Sequence, residues 1–279
     1  MPAPVKEFHE YIGIAPSSAV TLSNYLTSPA VAFLRCVVNA KDAAAMCQNQ
    51  FNKTRDRKLT KPALENLQNI NAGLLASIMG NFETFQKYLF SDMFEYSIYL
   101  NKFDVQSFIK KLAKASNHSD ISIDLQRFAA YRDNTVGVGM ILAENLKNWS
   151  SPSVVNQYFS AFGLKDAHGH QRALFSSVSI SNLAILWQLR HSIVHTAATI
   201  TLPDAQKVTK LNGFGGRIIA LEPQFIYEVA RKMHYLVKEG VGNLQAAYLN
   251  NLKGNVPADV RRKIDNVFKV SSSCSVWLR

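Results

Sequence analysis

Between Pro62 and Asn101 the apolar residues Leu64, Leu67, Ile70, Leu74, Leu75, Ile78, Phe82, Phe85, Leu89, Met93 and Tyr96 recur at intervals of three and four. That spacing places them on one face of an α-helix. A stripe this long must be covered by other amphipathic helices, so it commits the chain to a helical bundle. Gly73 and Gly80 weaken its middle, leaving either one kinked helix or two in succession. Helical patterns also cover Val31 to Gln50, where Ser28 supplies an N-cap and Pro29 the first helical position, and then Val105 to Ser116, Asp124 to Arg132 and Thr135 to Leu146. A short helix opens at Ser151-Pro152-Ser153 and stops at Gly163, and a longer one runs from Ser177 to His195. Glu222-Pro223 starts another that ends near Gly240, followed by pieces over Leu244 to Leu252 and Pro257 to Val270. The single β signal lies between these helices: Ala198 to Leu202, Lys207 to Leu211 and Arg217 to Leu221, with turn residues Asn212 to Gly216, read as a small hairpin. The expected fold is all-α, with a small β-hairpin after the 177–195 helix. The basic, polar link from Asn52 to Lys58 sets a boundary, giving an N-terminal helical region over 1–60, a main domain over 61–240 and a C-terminal helical tail over 241–279.

At 279 residues and 47% hydrophobic content the chain can bury a large core. Cys36, Cys47 and Cys274 are odd in number and form no Cys-x-x-Cys pair, which favours free thiols in a reducing compartment. Residues Met1 to Glu10 carry two glutamates and no basic head before an apolar run, so they do not read as a secretory leader. No apolar stretch approaches the roughly 20 residues that span a bilayer. A cytoplasmic protein with no membrane partner is therefore expected. Lysine and arginine exceed aspartate and glutamate by 31 to 20, for a net charge of +11, which makes phosphate-bearing polymers plausible partners.

Chemistry concentrates at Arg190-His191-Ser192-Ile193-Val194-His195. Unrolled at about 100° per residue, the helix carries Leu183, Leu186, Trp187, Leu189, Ile193 and Val194 in one apolar arc, and Arg190 falls inside it. An arginine there costs desolvation unless an anion or acceptor meets it. His191 and His195 share the neighbouring face, four residues apart. Permanently charged, bidentate arginine beside histidines that titrate near neutrality suits metal-free phosphodiester chemistry. Other readings stay open. Arg190 could cap carbonyls and His195 could be a satisfied core histidine. The two histidines could be half of a zinc site, although position 192 is serine rather than the glutamate of a His-Glu-x-x-His helix. His168 and His170, and the basic run Arg261-Arg262-Lys263, read as exposed surface before they read as sites.

An arginine, a polar residue, three more residues and a histidine near the end of a helical domain resemble the signature of the HEPN superfamily, and within it the RiboL-PSP-HEPN-like branch. Asn81-Phe82-Glu83-Thr84-Phe85 in the long early helix, Asn148-Trp149-Ser150-Ser151-Pro152 before a short helix ending Phe162-Gly163-Leu164, and the glycine-bearing hairpin at Gly215 agree with it. The resemblance spans Lys61 to Gly240. It implies a HEPN-like helical bundle and a metal-independent endoribonuclease without cofactor. It further implies a homodimer whose motif helices face each other, and a role as a toxin or antiviral defence effector with an antitoxin or defence-system partner. By this resemblance His195 is the acid/base, Arg190 stabilises charge on the scissile phosphate of RNA, and His191 fills the polar position. Glu83 is an auxiliary candidate for orienting one of them. A tyrosine that some relatives carry two residues beyond the histidine, as a modification site, is Ala197 here, so silencing by that route is not expected. A non-catalytic HEPN-like module that binds RNA or a protein is the alternative.

Overall fold

The computed structural model describes residues 12–14, 16, 19–116 and 137–270. The helix expected over Asp124 to Arg132, the start of the one expected from Thr135, and Cys274 lie outside the described residues. The long apolar stripe forms one continuous helix. After α1 (Leu22–Thr27) and α2 (Pro29–Gln50), α3 runs from Lys61 to Glu95, 35 residues and about 50 Å at 1.5 Å per residue. Gly73 and Gly80 do not break it. A Cβ at either would meet nothing within 4 Å, so both glycines sit on the outer face, while Leu67, Leu75, Ile78, Phe82, Phe85, Leu89 and Met93 hold the inner face buried. The packing of an unbroken stripe outweighs about 1 kcal/mol of propensity per glycine.

α2 lies along α3, and Phe33 stacks between Phe82 and Phe85 at centroid distances of 5.2 and 5.6 Å. Pro29 opens α2 as expected, but the Ser28 hydroxyl makes no cap bond and instead donates to the Lys269 carbonyl, 3.1 Å away. The segments 19–60 and 241–270 thereby join one hydrophobic cluster with the middle of the chain, through Tyr25, Phe33, Val37, Leu244, Ile264 and Phe268 among others.

α4 (Val105–Ser116), α5 (Val138–Asn145) and α6 (Pro152–Ser160) close around the second half of α3. Gly139 is needed there because a Cβ would overlap the Ser91 carbonyl oxygen, and its amide donates to the Glu95 carboxylate at 2.6 Å. The motif helix α7 spans Ser177–His195, with the Ser176 hydroxyl accepting the Ser179 amide as its N-cap.

Two expectations are corrected after α7. The β signal gives only a pair of two-residue strands, β1 (Thr199–Ile200) and β2 (Arg217–Ile218), antiparallel with Thr199 opposite Ile218 and Ile200 opposite Arg217. Lys207 to Leu211 is not a strand. The Thr201 hydroxyl accepts the Asp204 amide, and Pro203 and Asp204 occupy the first turn, so the chain enters helix α8 (Leu202–Lys207) and then a 3-10 turn over Thr209–Phe214. The second correction concerns Gly240. α9 runs unbroken from Phe225 to Asn250, because Gly240 is a packing glycine: a Cβ would overlap the Leu174 carbonyl oxygen. α10 (Ala258–Val267) completes the described chain, and no described helix is long and apolar enough to cross a membrane.

Candidate functional site

α7 begins against the core and ends at the surface, and its covered face rotates on the way. Leu183 and Trp187 are buried towards its middle, Leu189 and Ser192 towards its end. These pairs lie on opposite sides of the helix at about 100° per residue. The rotation has a cause: the segment after the helix folds back over the Ser192 side. The Thr196 and Ala198 amides both donate to the Ser192 carbonyl, and the Thr196 hydroxyl donates to it as well. The single apolar arc expected from the sequence therefore fails in the last turn. Val194 is 48% exposed, and Leu186 and Ile193 are half-buried.

Arg190 projects into this half-covered apolar strip. Its Nε is buried and has no hydrogen-bond partner among the described residues, and no carboxylate there pairs with it. A buried, unmet guanidinium donor costs about 1–3 kcal/mol, and the carbonyl cap considered above does not account for it. His191 and His195 stand one turn apart, both exposed, with ring centroids 4.9 Å apart. The motif thus presents two imidazoles to solvent beside an arginine whose Nε has no hydrogen-bond partner among the described residues. No third ligand joins the histidines in a group able to hold a metal among the described residues.

Glu83 makes no hydrogen bond or ion pair with them among the described residues. Its carboxylate pairs with Lys87 at 2.9 Å, and Lys87 also reaches Glu144 at 3.9 Å. The acidic group that does approach the motif is Asp204, which the sequence did not single out. Asp204 is 6% exposed. It accepts from Lys207 Nζ at 2.8 Å and from the Thr201 hydroxyl at 2.8 Å. Those bonds, the Lys207 one first, hold its carboxyl below the usual aspartate range against the cost of burial, and the charge of His191 adds to them. Its signal in the sequence is the Thr201-Leu202-Pro203-Asp204 helix start, which a strand-like alternation on either side masks.

The remaining candidates lie elsewhere. In the His168–His170 loop the Asp166 carboxylate accepts both histidine amides, at 2.9 and 2.8 Å, and the Arg172 guanidinium at 2.6 Å, which makes the loop a self-satisfied turn. Arg261, Arg262 and Lys263 are exposed on α10. No protein-family model, curated protein or solved structure matches this chain.

Proposed function

We propose that this chain is a metal-independent endoribonuclease of the HEPN type, and the observation that carries the reading is Arg190, whose buried Nε lacks an acceptor beside two exposed histidines. A phosphodiester supplies the missing anion. In this reading the 2′-hydroxyl of RNA attacks the adjacent phosphorus and the bond to the 5′-oxygen breaks. His195 transfers protons, with one leaving the 2′-oxygen and one reaching the departing 5′-oxygen, and the products are a 2′,3′-cyclic phosphate and a 5′-hydroxyl. Arg190 meets the charge that develops on the phosphate. His191 fills the polar position beside Arg190, with the Asp204 carboxylate near it. DNA lacks the nucleophile and is not cut.

The half-covered strip of Leu186, Ile193 and Val194 around Arg190 supports a homodimer in which a second motif helix completes the cover. The free thiols of Cys36 and Cys47 fit a reducing, cytoplasmic setting. There the protein acts as a toxin or antiviral defence effector that an antitoxin or defence-system partner restrains.

The test is RNA incubated with the protein in EDTA, with end groups analysed. Cyclic-phosphate ends are expected, and His195→Ala should slow cleavage by about 10²–10⁴ without lowering the melting temperature. RNA left intact by the wild type, or undiminished cleavage by His195→Ala, overturns the reading. Binding without turnover, with Arg190→Ala altering affinity alone, would instead establish a non-catalytic module.

A further inference from the structure

A second basic feature lies away from the motif. The loop after α3, the start of α4 and the turn after α6 enclose a cavity of about 270 Å³ whose rim carries Lys102, Lys111 and Lys165. All three side chains are exposed, and none has an ionic or hydrogen-bonding partner among the described residues. The only carboxylate in the lining, Asp104, is already engaged: it accepts the Ser107 amide at 2.8 Å and so caps α4. The lining of one small cavity thus carries three lysines against a single aspartate, an excess of positive charge.

The rim is also fixed in place. The Asn101 amide donates to the Asn251 carbonyl at 2.8 Å, the Asn101 side chain to the Leu252 carbonyl at 3.0 Å, and the Asn251 side chain to the Lys165 carbonyl at 3.0 Å. These bonds lock the loops bearing Lys102 and Lys165 to one turn. Opposite them, Lys111 Nζ reaches over Gly163, whose positive φ of 68° turns the chain back beneath it. Half-buried Phe103 forms part of the wall, an aromatic surface beside positive charge of the kind that holds single-stranded nucleic acid.

We propose that this cleft binds the phosphate backbone of the RNA at a distance from the scissile bond, an inference that rests on the ribonuclease reading. The cleft shares Gln171 with a polar hollow at the start of α7, which Arg172 and Ser176 also line. From Ser177 to Arg190 the helix rises about 20 Å. At the roughly 3.4 Å of axial rise per nucleotide of a stacked strand, that span corresponds to about six nucleotides, and to fewer where the strand is extended. The cleft therefore selects for extended RNA over very short fragments.

The experiment measures binding of a 20-nucleotide single-stranded RNA to the full chain carrying His195→Ala, so that turnover does not interfere, over a range of salt. Adding Lys102→Gln, Lys111→Gln and Lys165→Gln together should weaken binding and reduce the slope of log affinity against log salt by about 2, at about 0.7 per lost phosphate contact. An unchanged melting temperature verifies that the variant is folded. An equal loss from Arg261→Gln, Arg262→Gln and Lys263→Gln, which remove the same charge outside the cleft, would overturn the proposal. So would an unaltered slope, or a cleft that is needed for binding to phosphatidylserine vesicles but not to RNA. Cleavage by the wild type is scored separately: a slope that falls while the wild type cuts nothing keeps the cleft and removes the nuclease, and the converse does the reverse.

Discussion

Two regions of the molecule differ in the charge of the polar groups they leave unmet. Around the second half of α3, the Phe90 ring meets Phe108, Trp149, Phe159 and Phe162 at centroid distances of 5.4–6.0 Å. The polar ends of the aromatic residues there are satisfied, since Trp149 Nε1 donates to the Ala143 carbonyl at 3.0 Å and the Tyr158 hydroxyl to the Lys147 carbonyl at 2.5 Å. At the end of α7 the guanidinium of Arg190 is half-covered with its Nε unmet, two histidines face solvent, and the backbone passes through left-handed φ angles of 49° and 61° at Ala197 and Ala198. The packed region also holds buried atoms without a hydrogen-bond partner, Gln86 Nε2 and Oε1, Asp92 Oδ2 and Asn145 Nδ2, but these belong to neutral amides or to a carboxyl whose ionisation burial opposes, whereas the unmet atom at the end of α7 belongs to a permanently charged guanidinium. An unmet guanidinium donor and left-handed backbone beside two exposed histidines set the end of α7 apart, and they are what the proposed function rests on.

The contrast is most exposed to failure at Asp92, which lies in the well-packed region yet has a buried Oδ2 without a partner. Burial, with the nearby charge of Glu95, pushes its carboxyl up to about 8. The sign follows from linkage. Below about pH 4 the carboxyl is protonated in both the folded and unfolded chains and costs nothing. Between about pH 4 and 8 the unfolded chain gives up this proton while the folded chain keeps it, so stability falls as pH rises. Asp92→Asn should remove that fall, with a gain near pH 8 whose ceiling is on the order of 5 kcal/mol and which vanishes towards pH 4. Urea unfolding of both proteins at several pH values measures it, and parallel profiles would show that Asp92 is paired after all.

A smaller effect of the same kind is expected at the motif, where it carries a functional cost. Arg190→Met keeps the length and apolar stem of the side chain and removes the unmet donor, so it should stabilise the isolated protein by about 1–3 kcal/mol while abolishing RNA cleavage. A destabilised variant would mean that Arg190 is held by an acceptor and belongs to the scaffold.

These two positions also mark what the sequence could reveal. The bounds of α7, Ser177 to His195, and the start of α2 at Pro29 follow from periodicity and capping, which are local, and they agree with the structure. The reading of Gly240 as a helix end failed because a glycine demanded by close approach looks the same in sequence as one demanded by a turn, and the deciding atom belongs to Leu174. The strand expected over Lys207 to Leu211 failed because the Thr201 cap and Pro203 act locally against a weak alternation. At the site, the Arg190 placement was legible from helical geometry. The direction in which Val194 faces was not, because the covered side of α7 is set by a segment that returns over Ser192. Glu83 was chosen for its place in a motif, whereas its charge is met by Lys87 one turn away. Asp204 approaches His191 only through the tertiary fold.

The smallest effect probes the strain itself. Ala197 follows the C-cap of α7 at φ 49°, a conformation that costs an alanine about 1–2 kcal/mol and a glycine little. Glycine also gains freedom in the unfolded chain, which returns about 0.4–1 kcal/mol of that relief. Ala197→Gly should therefore raise stability by only about 0.5 kcal/mol, the difference of those two terms. Ala197→Val, whose branched Cβ tolerates positive φ least, should lower it by more. The pair of melting temperatures tests the geometry through its sign: if glycine destabilises and valine does not, the chain leaves α7 in an extended conformation. The fold-back onto Ser192, which turns Val194 outward and leaves His195 exposed, would then not hold.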